Sequence, residues 1–473
     1  MTTMTTLTGE TIEIDRGLDR LAGQLQDELL RPGRAGYDDA RALWNGMTVR
    51  EPAAIARCAS TDDVRAAVRF ATDHDLLLAV RGGGHNVAGT AGVDGGLVID
   101  LSTMNDVEVD PATRRARAGG GATFADLDAA TQAHGLATPG GVVSKTGIGG
   151  LTLSGGLGWL RRKHGLTCDN LVAATLVAAD GTVHQVDEEH DAELLWGLRG
   201  GGGNFGVVTE LSYQLHPVGP EVFMGLTVYP LDAAEQVLRG YRDWTDDLPD
   251  EVSSLIECGS VPQETDIPEE RWGEPCLILV ACAATDLDRG TALTGPLRRF
   301  AEPIADLSGP VPFAEMQQLF DADYPDGLRY YWRSLHLPGL SDEVIPRIIE
   351  WTRTRPSPRT TLDLWHLGGA MSRVAAEATA YGDRSAPFLL GIESNWEDPE
   401  DDEANLRWTR GCVDAFEPLS TGREYLNFPG FLEDGEATLR AAHGSGNYDR
   451  LRRLKRRLDP ENHFRLHQNI PPA

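Results

Sequence analysis

The chain has 473 residues, of which 41% are hydrophobic, and a formal net charge of -29. This length predicts two or three folding units with sizeable interiors, and the apolar content excludes a disordered chain. The negative charge excludes nucleic acid as a partner, because phosphate binding needs a basic surface.

The sequence contains no signal for a membrane partner or a metal. No apolar run approaches the roughly 18 residues of a membrane span, and the first residues lack a leader pattern, so we expect a cytoplasmic location. The six cysteines are scattered without a C-x-x-C pair. Neither a disulfide framework nor a zinc site is expected, and small buried side chains are favoured.

The charge balance suggests a hypothesis about the host. Nearly all basic residues are arginine, with only Lys145, Lys163 and Lys455 as lysines. An acidic, lysine-poor surface suits a salt-rich cytoplasm, where charge is screened and solubility must be kept. A salt-loving host is one hypothesis, and an arginine-rich bacterial protein with an acidic surface is the alternative.

The first predicted elements are a helix and several strands. Ser60 begins a run of capping side chains, Val64, Ala67 and Ala71 recur at helical spacing, and residues 76–80 run apolar as a strand. A second strand is expected over residues 93–101. An alternating pair of strands around residues 107–109 and 115–118 indicates a hairpin.

The next stretch combines short helices with glycine-rich turns. Thr123 opens a helix over residues 124–134, which Gly135 ends, and a long glycine-rich passage covers residues 138–158. Strands over residues 170–179 and 182–186 join at Asp180-Gly181, a hairpin signal. A helix over 191–198, a glycine-rich turn over 200–206 and a strand over 207–215 follow.

The composition changes at residues 217–220. Beyond them glycine becomes rarer, aromatic residues become common, and strand-like runs (276–282, 387–392) alternate with helical ones (233–245, 342–355). The last helix covers residues 448–458. We predict an α+β protein with one unit over residues 1–217, a second over 218–425, and a C-terminal segment over 426–473 that returns to the first unit.

One glycine motif resembles a dinucleotide fingerprint. Residues 201–206 have the G-x-G-x-x-G spacing, but that fingerprint needs a strand before it and a helix after it. Here the predicted helix comes first and the strand second. A helix-to-strand turn is therefore favoured over a Rossmann site.

Three glycine runs occur within the first 210 residues, at 82–84, 147–158 and 200–206, and we expect all of them at strand ends. Bare backbone amides can form a nest for an anion, so close approach to a flat or phosphorylated ligand is favoured over three ordinary turns. His85 follows the first run, and Asn86 is expected to orient its ring. A neutral imidazole in this place is a fair nucleophile toward an activated cofactor carbon.

The sequence R-G-G-G-H-N at 81–86, the passage 147–159, the stretch 199–210 and the ending 448–472 together carry a family resemblance. They resemble the FAD-linked oxidases of the vanillyl-alcohol-oxidase (PCMH-type) fold, in the berberine-bridge-enzyme-like branch. The resemblance covers nearly the whole chain. It implies a two-part FAD-binding domain and a substrate domain with an antiparallel sheet covered by helices.

The resemblance also implies how FAD is held. His85 is expected to be joined to the 8α carbon of the flavin. Many relatives add a bond from a cysteine, but Val143 stands at that position, so a single link is expected, as in the members similar to 6-hydroxy-D-nicotine oxidase. Cys168 lies past that motif and is expected to be structural. The residues implied for the FAD site are Arg81, Gly82, Gly83, Gly84, His85, Asn86, Thr146, Gly147, Gly150, Leu151, Gly155, Gly156, Gly158, Asp169, Asn170, Gly203, Asn204, Phe205, Gly206, Val207, Asn427 and Asn469.

The catalytic base is the open question of the sequence. The family often carries Y-x-N-Y, whose second tyrosine serves as base in several members, but here Phe428 ends the motif that Tyr425 begins. Period-two alternation places Glu393 with Gly391 and Asn395 on one face of a strand. Glu393, and with it Tyr425, is the predicted catalytic group, and a solvent-facing glutamate is the alternative for Glu393.

The predicted reaction is removal of hydride from a C-H bond next to a hydroxyl or amine of a small molecule such as a sugar, alcohol or amine. The flavin would receive the hydride and return to its oxidised form with dioxygen, giving hydrogen peroxide. Thr146 is a candidate for the residue that admits dioxygen, and Tyr330, Tyr331 and Trp332 either line the pocket or belong to the core. A dehydrogenase with another acceptor and a catalytically silent flavin- or small-molecule-binding protein are the alternatives.

Overall fold

The computed structural model describes residues 2–263, 267–432 and 435–473. The first part of the chain forms a small sheet with β4, β6 and β5 parallel and β3 antiparallel at its edge, in the order β3-β4-β6-β5. Its elements are β1 Thr3–Thr5, β2 Thr11–Glu13, α1 Asp15–Ala22, β3 Leu29–Leu30, α2 Tyr37–Arg41, β4 Ala54–Arg57, α3 Thr61–Asp73, β5 Leu78–Arg81 and β6 Leu97–Asp100.

A second sheet is antiparallel throughout, in the order β11-β10-β12-β8-β7. This part of the chain contains β7 Val107–Asp110, β8 Arg115–Gly119, α4 Phe124–Gln132, β9 Leu136–Ala137, α5 Ile148–Leu153, α6 Arg161–His164, β10 Leu171–Val177, β11 Val183–Val186, α7 Ala192–Leu198, β12 Val207–Gln214 and β13 His216–Pro217.

The largest sheet begins at Glu221, close to the predicted boundary, and runs in the order β17-β14-β16-β15-β20-β21-β19 with β18 beside β14. Its part of the chain contains β14 Glu221–Pro230, α8 Ala234–Thr245, β15 Val252–Ser260, β16 Pro275–Ala283, α9 Leu287–Thr294, β17 Ala305–Asp306, β18 Gly309–Pro312, α10 Phe313–Met316, β19 Arg329–Leu337, α11 Val344–Arg353, β20 Thr361–His366, β21 Phe388–Trp396 and α12 Asp402–Phe416. The neighbouring strands pair antiparallel.

The two faces of this large sheet have different partners. One face packs on α8, α11 and α12 in a core that includes Leu364 and Leu390. The opposite face carries Trp365 and Leu389 and packs against residues of the first part of the chain, among them Trp44. Successive residues of a strand point to opposite faces, so β20 and β21 contribute to both cores.

The C-terminal segment packs on the first part of the chain. It forms α13 Gly435–His443 and α14 Ser445–Leu458, and Leu451 and Leu454 of α14 share a core with Leu198 of α7. Lys455 is fully buried and donates to Asp459 and to the carbonyl oxygens of Asn204 and Phe464. These contacts fix the tail against the turn before β12.

The helix ends follow their predicted signals. Ser60 caps α3 by accepting from the amide of Asp63, and Thr123 and Asp126 form a capping box on α4. The order of α7, turn and β12 confirms that the glycine motif at 201–206 is a helix-to-strand turn. None of the described helices is long and apolar enough to cross a bilayer.

Two local predictions were wrong. The strand expected over residues 93–101 is only β6, because Gly95 adopts a left-handed turn with φ of 65°. The glycine-rich passage 147–158 does not lie only at strand ends, since it contains the helix α5. Glycine disfavours a helix by about 1 kcal/mol per residue, but a Cβ on Gly149 would lie 3.2 Å from the carbonyl oxygen of Gly120, so close packing explains its presence.

Candidate active site

A single continuous cavity lies between the first part of the chain and the large sheet. From the first part it is lined by the loop after β5, the segment leading into α5, and the start of β12. From the large sheet it is lined by side chains of β19, β20 and β21, and the tail residues 464–468 complete the wall. The carboxyl end of a parallel strand, here β5, is the usual place for a ligand in such sheets.

The glycine runs meet at this cavity, and their close contact explains why Gly83 and Gly147 have no side chain. A Cβ on Gly83 would lie 2.5 Å from the backbone nitrogen of Gly147, and a Cβ on Gly147 would lie 2.4 Å from the nitrogen of Gly83. Neither backbone could approach the other with a side chain present. Gly203 and Gly206, from the third run, line the same cavity.

His85 faces the cavity directly after the first run. Its Nε2 is shielded from solvent and has no hydrogen-bond partner in the described structure. Burial lowers the pKa of His85 to about 4, so the ring is neutral near pH 7. Asn86 does not orient the ring as expected, because its side-chain oxygen accepts from the amide of Ala88.

An aromatic stack holds the imidazole instead. The indole of Trp44 lies on the His85 ring with centroids 4.1 Å apart, and Tyr330 lies on the other side of the indole at 3.7 Å. The indole nitrogen of Trp44 donates to the carbonyl oxygen of Tyr324 over 3.0 Å. Sequence reasoning missed Trp44, because nothing near it in the chain marks it as a partner of His85.

Val143 lines the cavity at the position where relatives carry cysteine. Cys168 is fully buried in the core outside the cavity lining, and burial raises the pKa of its thiol. The other five cysteines are also buried and free. The prediction that the cysteines are small buried side chains is confirmed.

Tyr425 presents its hydroxyl to three donors. The amides of Gly156 and Leu157 donate to this oxygen over 3.1 Å each, and the side-chain amide of Asn427 donates over 2.8 Å. Burial nevertheless raises the pKa of Tyr425 to about 12, so the phenol stays neutral. The hydroxyl oxygen of Tyr425 is thus held at the cavity by three donors.

Glu393 lies on the cavity side of β21 and is 2% exposed, so the alternative of a solvent-facing glutamate is wrong. Its Oε2 accepts from the hydroxyl of Tyr324 over 2.9 Å, and its Oε1 has no partner. Burial raises the pKa of Glu393 to about 7. A carboxyl tuned to this range can take a proton near neutral pH.

The three aromatic residues of β19 divide between the two faces of the sheet. Trp332 lines the cavity and packs edge-on against Phe428, with centroids 5.3 Å apart. Tyr330 lies on the same side in the stack with Trp44. Tyr331 faces the opposite side, against Phe431 and under Arg410, so it does not line the pocket.

Several residues predicted for the FAD site do not line the cavity. Asp169 accepts two hydrogen bonds from Arg384, and Asn170 donates to the carbonyl oxygens of His164 and Leu166. The predicted residues outside the cavity lining are Arg81, Gly155, Gly156, Gly158, Asp169, Asn170, Asn204, Phe205, Val207 and Asn469. Those within it are Gly82, Gly83, Gly84, His85, Asn86, Thr146, Gly147, Gly150, Leu151, Gly203, Gly206 and Asn427, together with both predicted catalytic residues.

Sequence reasoning also missed cavity residues from distant segments. Asp363 and Trp365 of β20 and the loop residues Phe320 and Tyr324 line it beside Glu393. His467 of the tail lines it too, 3.6 Å from where a Cβ on Gly203 would lie, and its Nε2 has no partner. The alternation of β20 could have indicated its cavity side, but no local signal pointed to the others.

These residues fit FAD. A flat, phosphorylated cofactor needs bare backbone at close range and a few polar atoms, and the three glycine runs supply the first. The unpartnered Nε2 atoms of His85 and His467 supply buried polar groups that a ligand would satisfy.

Comparisons with known proteins agree with this geometry. A FAD binding domain model matches residues 52–187, and a berberine and berberine-like model matches residues 425–471. The chain is 31% identical to a FAD-linked oxidoreductase of Dictyostelium discoideum over 94% of both chains. It is 30% identical to (R)-6-hydroxynicotine oxidase of Paenarthrobacter nicotinovorans, covering 95% of this chain and 97% of that one.

Two further similarities concern characterised oxidases. Glucooligosaccharide oxidase of Sarocladium strictum is 28% identical, covering 91% of this chain and 89% of that one. The crystal structure of 6-hydroxy-D-nicotine oxidase from Arthrobacter nicotinovorans superimposes with a TM-score of 0.86 at 29% identity, covering 95% of this chain and 98% of that one.

The fold and the cavity thus define a FAD-linked oxidoreductase. More closely, the chain belongs to the berberine-bridge-enzyme-like family of PCMH-type flavoproteins.

Proposed function

We propose that this protein is a FAD-dependent oxidase with a single covalent flavin link, through His85. It would remove hydride from a C-H bond next to a hydroxyl or amine of a small molecule, and dioxygen would restore the flavin. The observation that carries the proposal is the unpartnered Nε2 of His85, which lies beside the joined glycine runs in the cavity that Glu393 also lines.

His85 has the properties of an attaching nucleophile. Its low pKa keeps a lone pair on the neutral ring, and the stack with Trp44 restricts its orientation. Val143 has no nucleophilic atom, and Cys168 is outside the cavity, which supports one link rather than two.

The bound flavin would supply the two-electron acceptor. The chain's own groups would position the substrate and move its proton. Glu393 is the proposed base, with Tyr324 donating to its second oxygen. Tyr425 is proposed to donate its hydroxyl proton into the cavity, because its oxygen already accepts from three donors.

Dioxygen as acceptor is proposed from the relatives that are named oxidases. Thr146, the residue proposed to admit dioxygen, lines the cavity. A cytoplasmic location and a salt-rich host remain part of the proposal, supported only by the sequence. The relatives that are named oxidases differ in substrate: one is named for 6-hydroxynicotine and one for glucooligosaccharide. The proposal therefore includes both amines and sugars.

The test is whether yellow colour survives acid precipitation. We expect the precipitated wild-type protein to retain flavin and His85→Ala to release it, since His85 follows the first glycine run and presents a neutral, unpartnered Nε2 at the cavity. Flavin retained by the precipitated His85→Ala protein would contradict the single link. Sugars, secondary alcohols and cyclic amines are then screened for release of hydrogen peroxide, which would indicate an oxidase. Flavin that a compound bleaches under argon but that air does not restore would indicate a dehydrogenase. If no compound bleaches the flavin, the protein is a catalytically silent binder.

A further inference from the structure

Two carboxylates face the cavity from neighbouring strands of the large sheet. Asp363 of β20 is 5% exposed and Glu393 of β21 is 2% exposed, and both line the cavity. Asp363 lies opposite Gly391 in the sheet register, so Glu393 is its diagonal neighbour on the same face. The absent side chain of Gly391 leaves room for Glu393, whose Oε1 lies 2.9 Å from where that Cβ would be.

Each of the two carboxylates has an oxygen without a partner. Asp363 Oδ1 and Glu393 Oε1 are shielded from solvent and accept from no donor group in the described structure, while the two carboxyl groups lie within hydrogen-bond reach of each other. Buried acceptors of this kind are nearly always satisfied, and carboxylates more strictly than neutral groups. The two free oxygens therefore indicate a ligand that donates hydrogen bonds or carries positive charge.

A third carboxyl group lies beside this pair. Glu257 of β15 lies directly opposite Asp363 and is half-buried on the same face. Burial raises the pKa of Asp363, and repulsion from Glu393 raises it further. Burial and repulsion from Asp363 likewise raise the pKa of Glu257.

The cations near this cluster are engaged elsewhere. Arg355 attracts Glu257, but its guanidinium donates to the carbonyl oxygens of Cys258, Gly259 and Thr360. Arg161 covers one face of Trp365 and donates to the carbonyl oxygens of Gly158, Ser254 and His366. Across the described ranges, no arginine, lysine or histidine forms an ion pair with Asp363 or Glu393.

The remaining cavity walls around the pair are aromatic. Trp332, Tyr324, Phe320 and Phe428 line it, and Trp332 meets Tyr324 and Phe428 edge-on at 5.2 and 5.3 Å. Aromatic walls with carboxylates between them are the chemistry that recognises an organic ammonium. A neutral polyol could accept and donate hydrogen bonds here, but only a cation makes ionisation of these buried carboxyl groups favourable. The indole nitrogen of Trp365 is a free donor in the same wall and fits one acceptor atom on such a ligand.

We propose that Asp363 and Glu393 together bind the protonated nitrogen of an amine substrate with an apolar body. This inference rests on the proposed function and narrows its substrate to amines. On binding, an N-H bond of the ammonium breaks and its proton passes to a carboxylate oxygen of Glu393. The neutral amine keeps the electron pair of that bond, and its nitrogen lone pair can then form the C=N bond when the α C-H hydrogen departs with its electrons to the flavin.

The experiment compares matched probes on the flavin-containing enzyme, with binding measured by the perturbation of flavin absorbance under argon. The pairs are 2-phenylpyrrolidine with 2-phenyltetrahydrofuran, and N-methylbenzylamine with benzyl methyl ether. We expect each amine to bind at least about 30-fold more tightly than its ether, because only the ammonium can form an ion pair with a carboxylate of this buried pair. Equal affinities in both pairs, or no binding by any amine, would overturn the proposal without any variant being made.

The variants Asp363→Asn and Glu393→Gln keep the shape of each side chain and remove its charge. Each should weaken amine binding by about 30-fold or more and leave the ethers nearly unchanged. The matched control is Glu350→Gln, the same chemical change on the exposed side of α11, which should alter neither affinity. Unchanged amine affinity in both cavity variants would also overturn the proposal.

Failure of this inference can be distinguished from failure of the proposed function. If a sugar or alcohol, but no amine, bleaches the covalent flavin and air restores it, the oxidase proposal stands and the amine proposal falls. If the protein holds no covalent flavin, the proposed function is contradicted, whatever the amines do. Covalent flavin content therefore has to be measured on every variant before its affinities are compared.

Discussion

The indole of Trp44 lies face to face with the imidazole of His85, at 4.1 Å between ring centroids and 17° between planes. Trp44 follows α2, whereas its second stacking partner, Tyr330, belongs to β19 of the large sheet. The indole that contacts the ring proposed to carry the flavin thus joins the two main parts of the chain.

The first prediction concerns this stack. Trp44→Ala should slow covalent flavin attachment by about tenfold or more, because a small loss of alignment between reacting atoms has a large effect on rate. The measurement follows flavin retained by acid-precipitated protein after FAD is added to flavin-free protein. Trp44→Phe keeps a stacking ring and should recover most of the rate.

The control for Trp44 is Trp351→Ala on α11, where an indole is lost far from the cavity. It should attach flavin at the wild-type rate. Wild-type attachment by Trp44→Ala would show that the stack does not position His85.

The second prediction concerns the pH profile of Glu393. Burial raises its pKa to about 7, so the proton-accepting form increases as pH rises through this value. The groups facing it are Tyr324, Asp363 and Glu257, with Asp323 acting on the cluster from the adjoining loop. We expect kcat/KM to rise with pH across about 7 and Glu393→Gln to lower it by about 100-fold while removing this limb.

The profile is measured as the rate of flavin bleaching under argon with any substrate that gives peroxide. Glu350→Gln should leave the limb in place. A flat profile, or the same limb in Glu393→Gln, would mean that another group accepts the proton.

The third prediction concerns Asp169, which sequence similarity assigned to the FAD site. In the structure its carboxylate forms a buried ion pair with Arg384, with contacts of 2.6 and 2.8 Å. Breaking a buried pair leaves one charge without a partner, so Asp169→Asn should lower the free energy of unfolding by about 3 kcal/mol. Flavin per folded molecule should not change.

Denaturant unfolding and the absorbance ratio of flavin to protein check both parts of this expectation. Asp106→Asn, an exposed aspartate of the same charge, is the control and should change neither quantity. Loss of flavin from a folded, equally stable Asp169→Asn would return Asp169 to the cofactor site.

The fourth prediction tests the salt-loving host. With a net charge of -29, the folded chain repels itself most strongly when salt is scarce, since the screening length is about 10 Å at 0.1 M and longer below it. The melting temperature should therefore rise steeply from low to multimolar KCl. Sucrose at equal osmolarity should have a smaller effect, and a fold that is fully stable at low salt would reject the hypothesis.

Much of the fold could be predicted from local signals. Ser60 and Thr123 begin α3 and α4, and both are capping residues whose hydrogen bonds close within three positions. The turn between β10 and β11 was likewise predicted from Asp180 and Gly181, because a hairpin turn depends on residues that are neighbours in the sequence. The helix α5 could not be predicted in this way, because glycine is a poor helix former and only the contact of Gly149 with another segment gives a reason for its presence.

The candidate site likewise has one part that the sequence predicted and another that only the tertiary structure shows. The sequence by itself predicted a site at the glycine-flanked histidine His85, which lines the cavity, because bare backbone before a nucleophile is a local property. Only the tertiary structure decided which groups act with it. Trp44 stacks on His85 from 41 positions away, and Asp363 and Glu393 become neighbours through the register of β20 and β21. Such pairs depend on strand pairing and burial across the whole chain, and no local pattern records them.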